Sequence, residues 1–161
     1  MFTIPVPLTW SNFRGHPQKL KTEQVARQVS YWLDIADYDM AVARTMLSGG
    51  HFLYVGFMCH QVAEKGLKAL YAGTVQVTPP FTHALVKLAK LSNSYDELHP
   101  EDQALLDLLE PLNIEARYPT QKAVVMQSLT AERCRMLIQG TERLLQWIHE
   151  KCDVALKNMP A

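Results

Sequence analysis

Gln61, Glu64, Lys65 and Lys68 fall three and four residues apart, the spacing that puts side chains on one face of an α-helix. An amide, a carboxylate and two ammonium groups in that array suit recognition of a phosphate or a base edge. The same spacing also lets Lys68 pair with Glu64 at i,i+4, with Gln61 and Glu64 satisfying polar groups between helices. Both readings stand at this level. His60 and Glu64 form a second i,i+4 pair, of types that ligate metals. No further ligand-bearing segment with metal-site spacing follows, so neither a metal nor a cofactor is expected. His83 offers an imidazole, which suits either general acid–base work or a hydrogen bond across helices. Arg117, with Tyr118 beside it, offers a planar guanidinium for phosphate or carboxylate recognition. Its structural alternative is to bridge Glu110 or Glu115. No catalytic residue is assigned from these types and spacings.

The elements that must position these groups are helical. Val25, Val29, Trp32, Leu33, Ala36, Met40, Ala43 and Leu47 recur at three- and four-residue steps, which predicts a long amphipathic helix from about residue 23. Gly49-Gly50 ends it, because glycine takes the left-handed conformation without Cβ strain. Phe52, Val55, Cys59, Val62, Ala63, Leu67, Leu70 and Tyr71 predict a second helix, antiparallel to the first and closed by Gly73. Pro79-Pro80 breaks the chain, and Thr82 is the expected N-cap of a third helix bearing Leu85, Leu88 and Leu91. Pro100, followed by Glu101 and Asp102, marks the start of a fourth with Leu105, Leu108, Leu109 and Leu112. Residues 114–127 read as irregular around Pro119. A fifth helix is expected from about Thr130, with Cys134, Leu137, Ile138, Leu144, Leu145, Ile148 and Cys152 inward. No stretch alternates with period two for long enough to argue a sheet. The expected fold is all-α, with an extended arm over residues 1–22 and one helical domain over 23–157.

Composition narrows the class further. The 161 residues, 48% of them apolar, suffice for one domain with its own core. Three cysteines with no CxxC pair fit reduced, buried thiols better than a disulfide framework. No signal peptide or membrane-length apolar run is visible, so a cytoplasmic location is expected. The net charge is zero but uneven: seven acids and no base lie in residues 96–115, with basic surpluses on either side. Such an acidic element either orients a partner or forms a solvated helix face.

Four segments, in order, carry a family resemblance. Trp32-Leu33-Asp34-Ile35-Ala36-Asp37-Tyr38-Asp39 resembles the opening helix of HEPN domains. His60-Gln61-Val62-Ala63-Glu64-Lys65-Gly66-Leu67-Lys68-Ala69-Leu70 is similar to that family's Gln-x-x-Glu-Lys-x-Leu-Lys-Ala-Leu signature. Thr82-His83-x-Leu85 and Ala116-Arg117-Tyr118-Pro119 match its Thr-His-x-Leu and Arg-Tyr-Pro segments. The resemblance implies an up-and-down bundle of four or five helices that commonly dimerises. It also implies one of two roles. Some family members are partner subunits of a minimal nucleotidyltransferase in toxin–antitoxin-like pairs; others are metal-independent endoribonucleases. The family's ribonuclease motif is an arginine followed by histidine after four to six residues. Behind Arg117 those positions hold Lys122, Ala123 and Val124. Formal matches at Arg44 to His51 and Arg143 to His149 lie elsewhere, the latter pair about 240° apart around a single helix. The expectation is therefore a homodimeric nucleotide-binding or partner protein. A ribonuclease toxin acting on RNA is the enzymatic alternative, and a purely structural helical module the third.

Overall fold

The structure is a computed structural model that describes residues 18–115 and 119–160. Helix α1 spans Thr22–Ser48 and α2 spans Phe52–Val75, joined through Gly49 and Gly50. Of these two glycines it is Gly50 that takes a left-handed φ, +74°, where a side chain would be strained. Short elements follow: α3 (Leu85–Leu91), a 3₁₀ turn (Tyr95–Glu97), α4 (Pro100–Leu109), α5 (Leu112–Glu115) and α6 (Pro119–Ser128). Helix α7 closes the chain over Ala131–Lys157. Among the described residues there is no β-strand, only a single antiparallel bridge between Lys19 and Val77.

Close contacts fix the directions. A Cβ on Gly66 would meet Ile148 and Leu145, and one on Gly73 would meet Ala155, so α7 runs parallel to α2. Leu105 packs on Gly140 while Glu101 and Asp102 face Arg143, which makes α4 antiparallel to α7. Helices α1, α2, α4 and α7 therefore go up, down, up and down, as expected. Helix α2 is central and buried over most of its circumference; Val55, Cys59, Leu67 and Leu70 are almost wholly excluded from water. Met40 of α1 and Leu144 and Ile148 of α7 pack into the same core. Trp32 and Leu47, expected in the α1–α2 seam, are only partly buried against it.

Three boundaries differ from the sequence reading. Gly73 does not close α2. The helix continues to Val75, and Gln76 supplies the left-handed end (φ 57°). Gly73 lies inside the helix, against Val29 and Ala155. Thr82 is not the N-cap of α3; Ala84 holds that position. The Thr82 hydroxyl accepts from the Ala84 amide at 3.3 Å, and the Glu110 carboxylate accepts from the amides of Leu85 (2.9 Å) and Val86 (3.4 Å). A carboxylate from another element thus satisfies the open amides of α3 and complements its dipole. Residues 114–127 are not irregular, because α5 and α6 occupy most of them. Pro119 opens α6, a position where its fixed φ suits a helix and its missing N–H costs nothing. The other starts agree with the sequence: Pro100 opens α4 behind His99, and the Thr130 hydroxyl caps α7 by accepting from the Arg133 amide at 3.2 Å.

Candidate functional site

The candidate residues of α2 form one polar network on an otherwise apolar helix. Glu64 sits at its centre, buried. One carboxylate oxygen accepts from Lys68 Nζ at 2.8 Å, and the other lies 3.0 Å from His83 Nδ1. The buried His60 ring is 3.8 Å from that second oxygen. Burial alone would raise the Glu64 carboxyl. The hydrogen bond and charge of Lys68, followed by those of His83, outweigh it and hold the group below its ordinary value. Lys68 also lies over the Trp32 ring, 5.1 Å from its centre, a cation–π contact.

One helical turn away, Lys65 pairs with Asp39 of α1 and donates to Gln61 at 3.3 Å. The Gln61 amide donates in turn to Asn113 of α5 at 3.2 Å. That contact matters for position. Helix α5 ends at Glu115, so Asn113 ties the segment leading into Ala116–Tyr118 onto the same face of α2. Gly56 permits the approach, since a Cβ there would stand 2.9 Å from Leu112. Arg117 and Tyr118 themselves lie outside the described residues.

The structure thus brings Gln61, Glu64, Lys65, Lys68 and His83 together, and adds Asp39, Asn113 and Trp32, which the sequence reading had not counted as site residues. Asp39 carried a usable signal: an acid in the inward stripe of α1, between Ala36 and Ala43, needs a buried partner. Asn113 carried none. His83 stands at the outer end of the network with 47% of its side chain exposed, its ring edge against the exposed Phe81. Among the described residues no group of three or more His, Cys, Asp or Glu side chains is arranged to hold a metal.

Arg143 and His149 point to different helices: Arg143 faces Glu101 and Asp102 of α4 at 3.6 and 3.7 Å, and His149 meets Asp37 of α1 at 2.9 Å. Arg44 pairs with Glu142 at 2.7 Å. The acidic stretch is partly absorbed by α7 and α3, since Glu97 pairs with Lys151 and Glu110 caps α3.

The HEPN domain profile matches residues 29–152, most of the chain and all of the network just described. The chain belongs to the HEPN domain family. Two solved structures share the HEPN fold. The crystal structure of TT1696 from Thermus thermophilus superposes with a TM-score of 0.66 at 23% identity, over 77% of this chain and 98% of that one. ST0689, an archaeal HEPN homologue, gives 0.57 at 20% identity, over 77% and 97%. At such identities the likeness establishes the fold alone. No curated protein matches the chain. No helix among the described residues is long and apolar enough to cross a membrane.

Proposed function

We propose that this HEPN chain is a non-catalytic binding subunit. In this reading a homodimer uses the polar face of α2, together with Arg117, to receive a nucleotide or a minimal nucleotidyltransferase partner, as in a toxin–antitoxin-like pair. The observation that carries the reading is the Glu64 network. Both lysines of the face are held by carboxylates, and Glu64 fixes the half-exposed His83 ring at the rim. Ion pairs at this depth contribute little stability compared with apolar residues of similar volume. A prearranged array of donors with one end open to solvent accounts for keeping them. A fixed array also lowers the ordering cost of binding, which is what a recognition surface requires.

Arg117 supplies the charge that the neutralised lysines do not. Titration calorimetry with nucleotides, and co-purification with a minimal nucleotidyltransferase, test the reading on wild type, Arg117→Ala and His83→Ala. The expected result is binding by the wild type and a loss of about tenfold or more in each variant, equivalent to about 1.4 kcal/mol, with little change in melting temperature. A wild-type chain that binds neither would sink the proposal. Cleavage of labelled RNA in EDTA, abolished by Arg117→Ala, would replace it with the endoribonuclease reading.

A further inference from the structure

A groove runs between α4 and the first half of α7. Its floor is apolar, made by Ala104, Leu105, Leu108, Met136, Leu137 and Gly140, and its volume is about 640 Å³. Leu108 and Met136 are 49% and 65% exposed, so the groove displays apolar surface to solvent. Four charges border it, two of each sign: Glu101 on α4, and Glu132, Arg133 and Arg143 on α7. Arg143 reaches Glu101 and Asp102 through Nη2 only, at 3.6 and 3.7 Å, which leaves most of its donors open.

The stripe beside the groove is self-complementary. Glu132, Met136, Gln139 and Arg143 follow at steps of four, three and four, within about 60° of one another around α7. All four are at least partly exposed to solvent. The steps are those of a seam between paired helices. Read from either end they are the same, while the terminal charge changes from acid to base. A second copy of α7, laid antiparallel about a two-fold axis midway between Met136 and Gln139, sets its Arg143 against Glu132. The same axis sets Met136 of each copy against Gln139 of the other.

Helix α4 fits the same axis. Leu105 lies against Gly140, about 4 Å beyond the midpoint of the stripe at 1.5 Å per residue. Because α4 runs antiparallel to α7, Leu108 comes about 4.5 Å back from Leu105, level with the axis, where it meets Leu108 of the second copy. Met136 of the second copy arrives over the floor at Gly140 and Leu105. Glu101 stands about 10 Å from the axis on one side and Arg133 about 7 Å on the other, so each Arg133 comes to Glu101 of the opposite copy. One axis thus pairs all four border charges and covers both exposed apolar side chains, the pattern of an isologous contact. The face is about 16 Å long and about 20 Å wide, two helices side by side, which is the footprint of a small, reversible interface.

We infer that the α4–α7 groove is an interface between two copies of this chain, α7 antiparallel on α7 and α4 on α4, with Leu108 at the two-fold axis. The inference rests on the homodimer of the proposed reading and deepens it by naming the face. The test measures self-association of the full chain by sedimentation velocity from roughly 1 to 200 µM. Wild type, Glu132→Arg, Arg143→Glu and an equimolar mixture of the two variants are compared. Each variant alone sets like charges opposite each other at both symmetric contacts, and should dimerise about tenfold or more less tightly than wild type. In the mixture, arginine faces glutamate at both contacts of a heterodimer, so affinity should return to within about threefold of wild type. Leu108→Asp, a change to an exposed side chain, should also weaken association about tenfold or more, and keeps the test open should a charge reversal unfold the chain. Circular dichroism of each variant checks that the bundle is intact. A wild-type dimer that these variants leave unchanged, or variants that stay weak on mixing, would overturn the interface and leave a homodimer through another face standing. A chain monomeric throughout would overturn both, while nucleotide calorimetry decides the α2 site by itself.

Discussion

Replacing Glu64 by Gln probes the centre of the network at nearly constant volume. The substitution removes one charge and leaves the Lys68 ammonium with only 8% of its side chain exposed. Its remaining cation partner is the Trp32 ring at 5.1 Å. An uncompensated charge at this depth costs about 3–5 kcal/mol, whereas an exposed pair would cost about 1 kcal/mol or less. For a domain of this size that corresponds to a fall of roughly 10 °C in melting temperature. Urea unfolding at pH 7 measures the loss directly. Adding Lys68→Met should recover most of it, because the stranded ammonium is then gone. The gap should also depend on pH. The folded Glu64 carboxyl lies below its ordinary value of 4.5, so its contribution is fully present above that value and is lost as pH falls through the lowered one. Protonated Glu64 resembles Gln, and the two proteins should therefore converge in acid. A loss under about 1 kcal/mol at pH 7, unchanged in acid, would refute the argument that a buried carboxylate organises this face.

Other consequences follow from single contacts. Leu67→Ala, at a fully buried position of α2, should cost about 2–5 kcal/mol by urea unfolding. Glu110→Ala removes the acceptor for the Leu85 and Val86 amides, and should cost about 1 kcal/mol while speeding hydrogen exchange at those two amides. Burial pushes the Cys59 and Cys152 thiols up to about 12, so both should resist iodoacetamide at pH 8 until the chain is unfolded. In the unfolded chain they ionise near 9.0, and the unfolded state then holds fewer protons. Stability should accordingly fall as pH rises from about 9 towards 12, measured by urea midpoints and absent in a Cys59→Ala, Cys152→Ala background.

Apolar periodicity made α1, α2, α4 and α7 legible, because the side chains that meet the core must recur at the helical period. Local punctuation placed Gly50, Pro100 and Thr130 correctly, since each acts through its own backbone or its own first turn. The same reasoning misjudged Gly73, where the helix runs on to Val75, and Thr82, where the deciding partner is remote: Glu110 takes over the capping expected of the threonine. Residues 114–127 read as irregular around Pro119, although that proline opens α6; a proline by itself does not say which side of a helix end it occupies.

By itself the sequence determined the all-α class, the helical pair, the shared face of Gln61, Glu64, Lys65 and Lys68, and the motifs that identify a HEPN domain, all of which depend on spacing along the chain. Only the tertiary structure decided which charges meet. Lys65 chose Asp39 across 26 residues, Gln61 chose Asn113 across 52, and Glu64 chose His83 across 19. Those pairings follow from how α1, α3 and α5 pack around α2, and no local period encodes them. Burial then set their energetic weight, because the same ion pair that is worth little in water becomes costly to break once the surrounding helices exclude it.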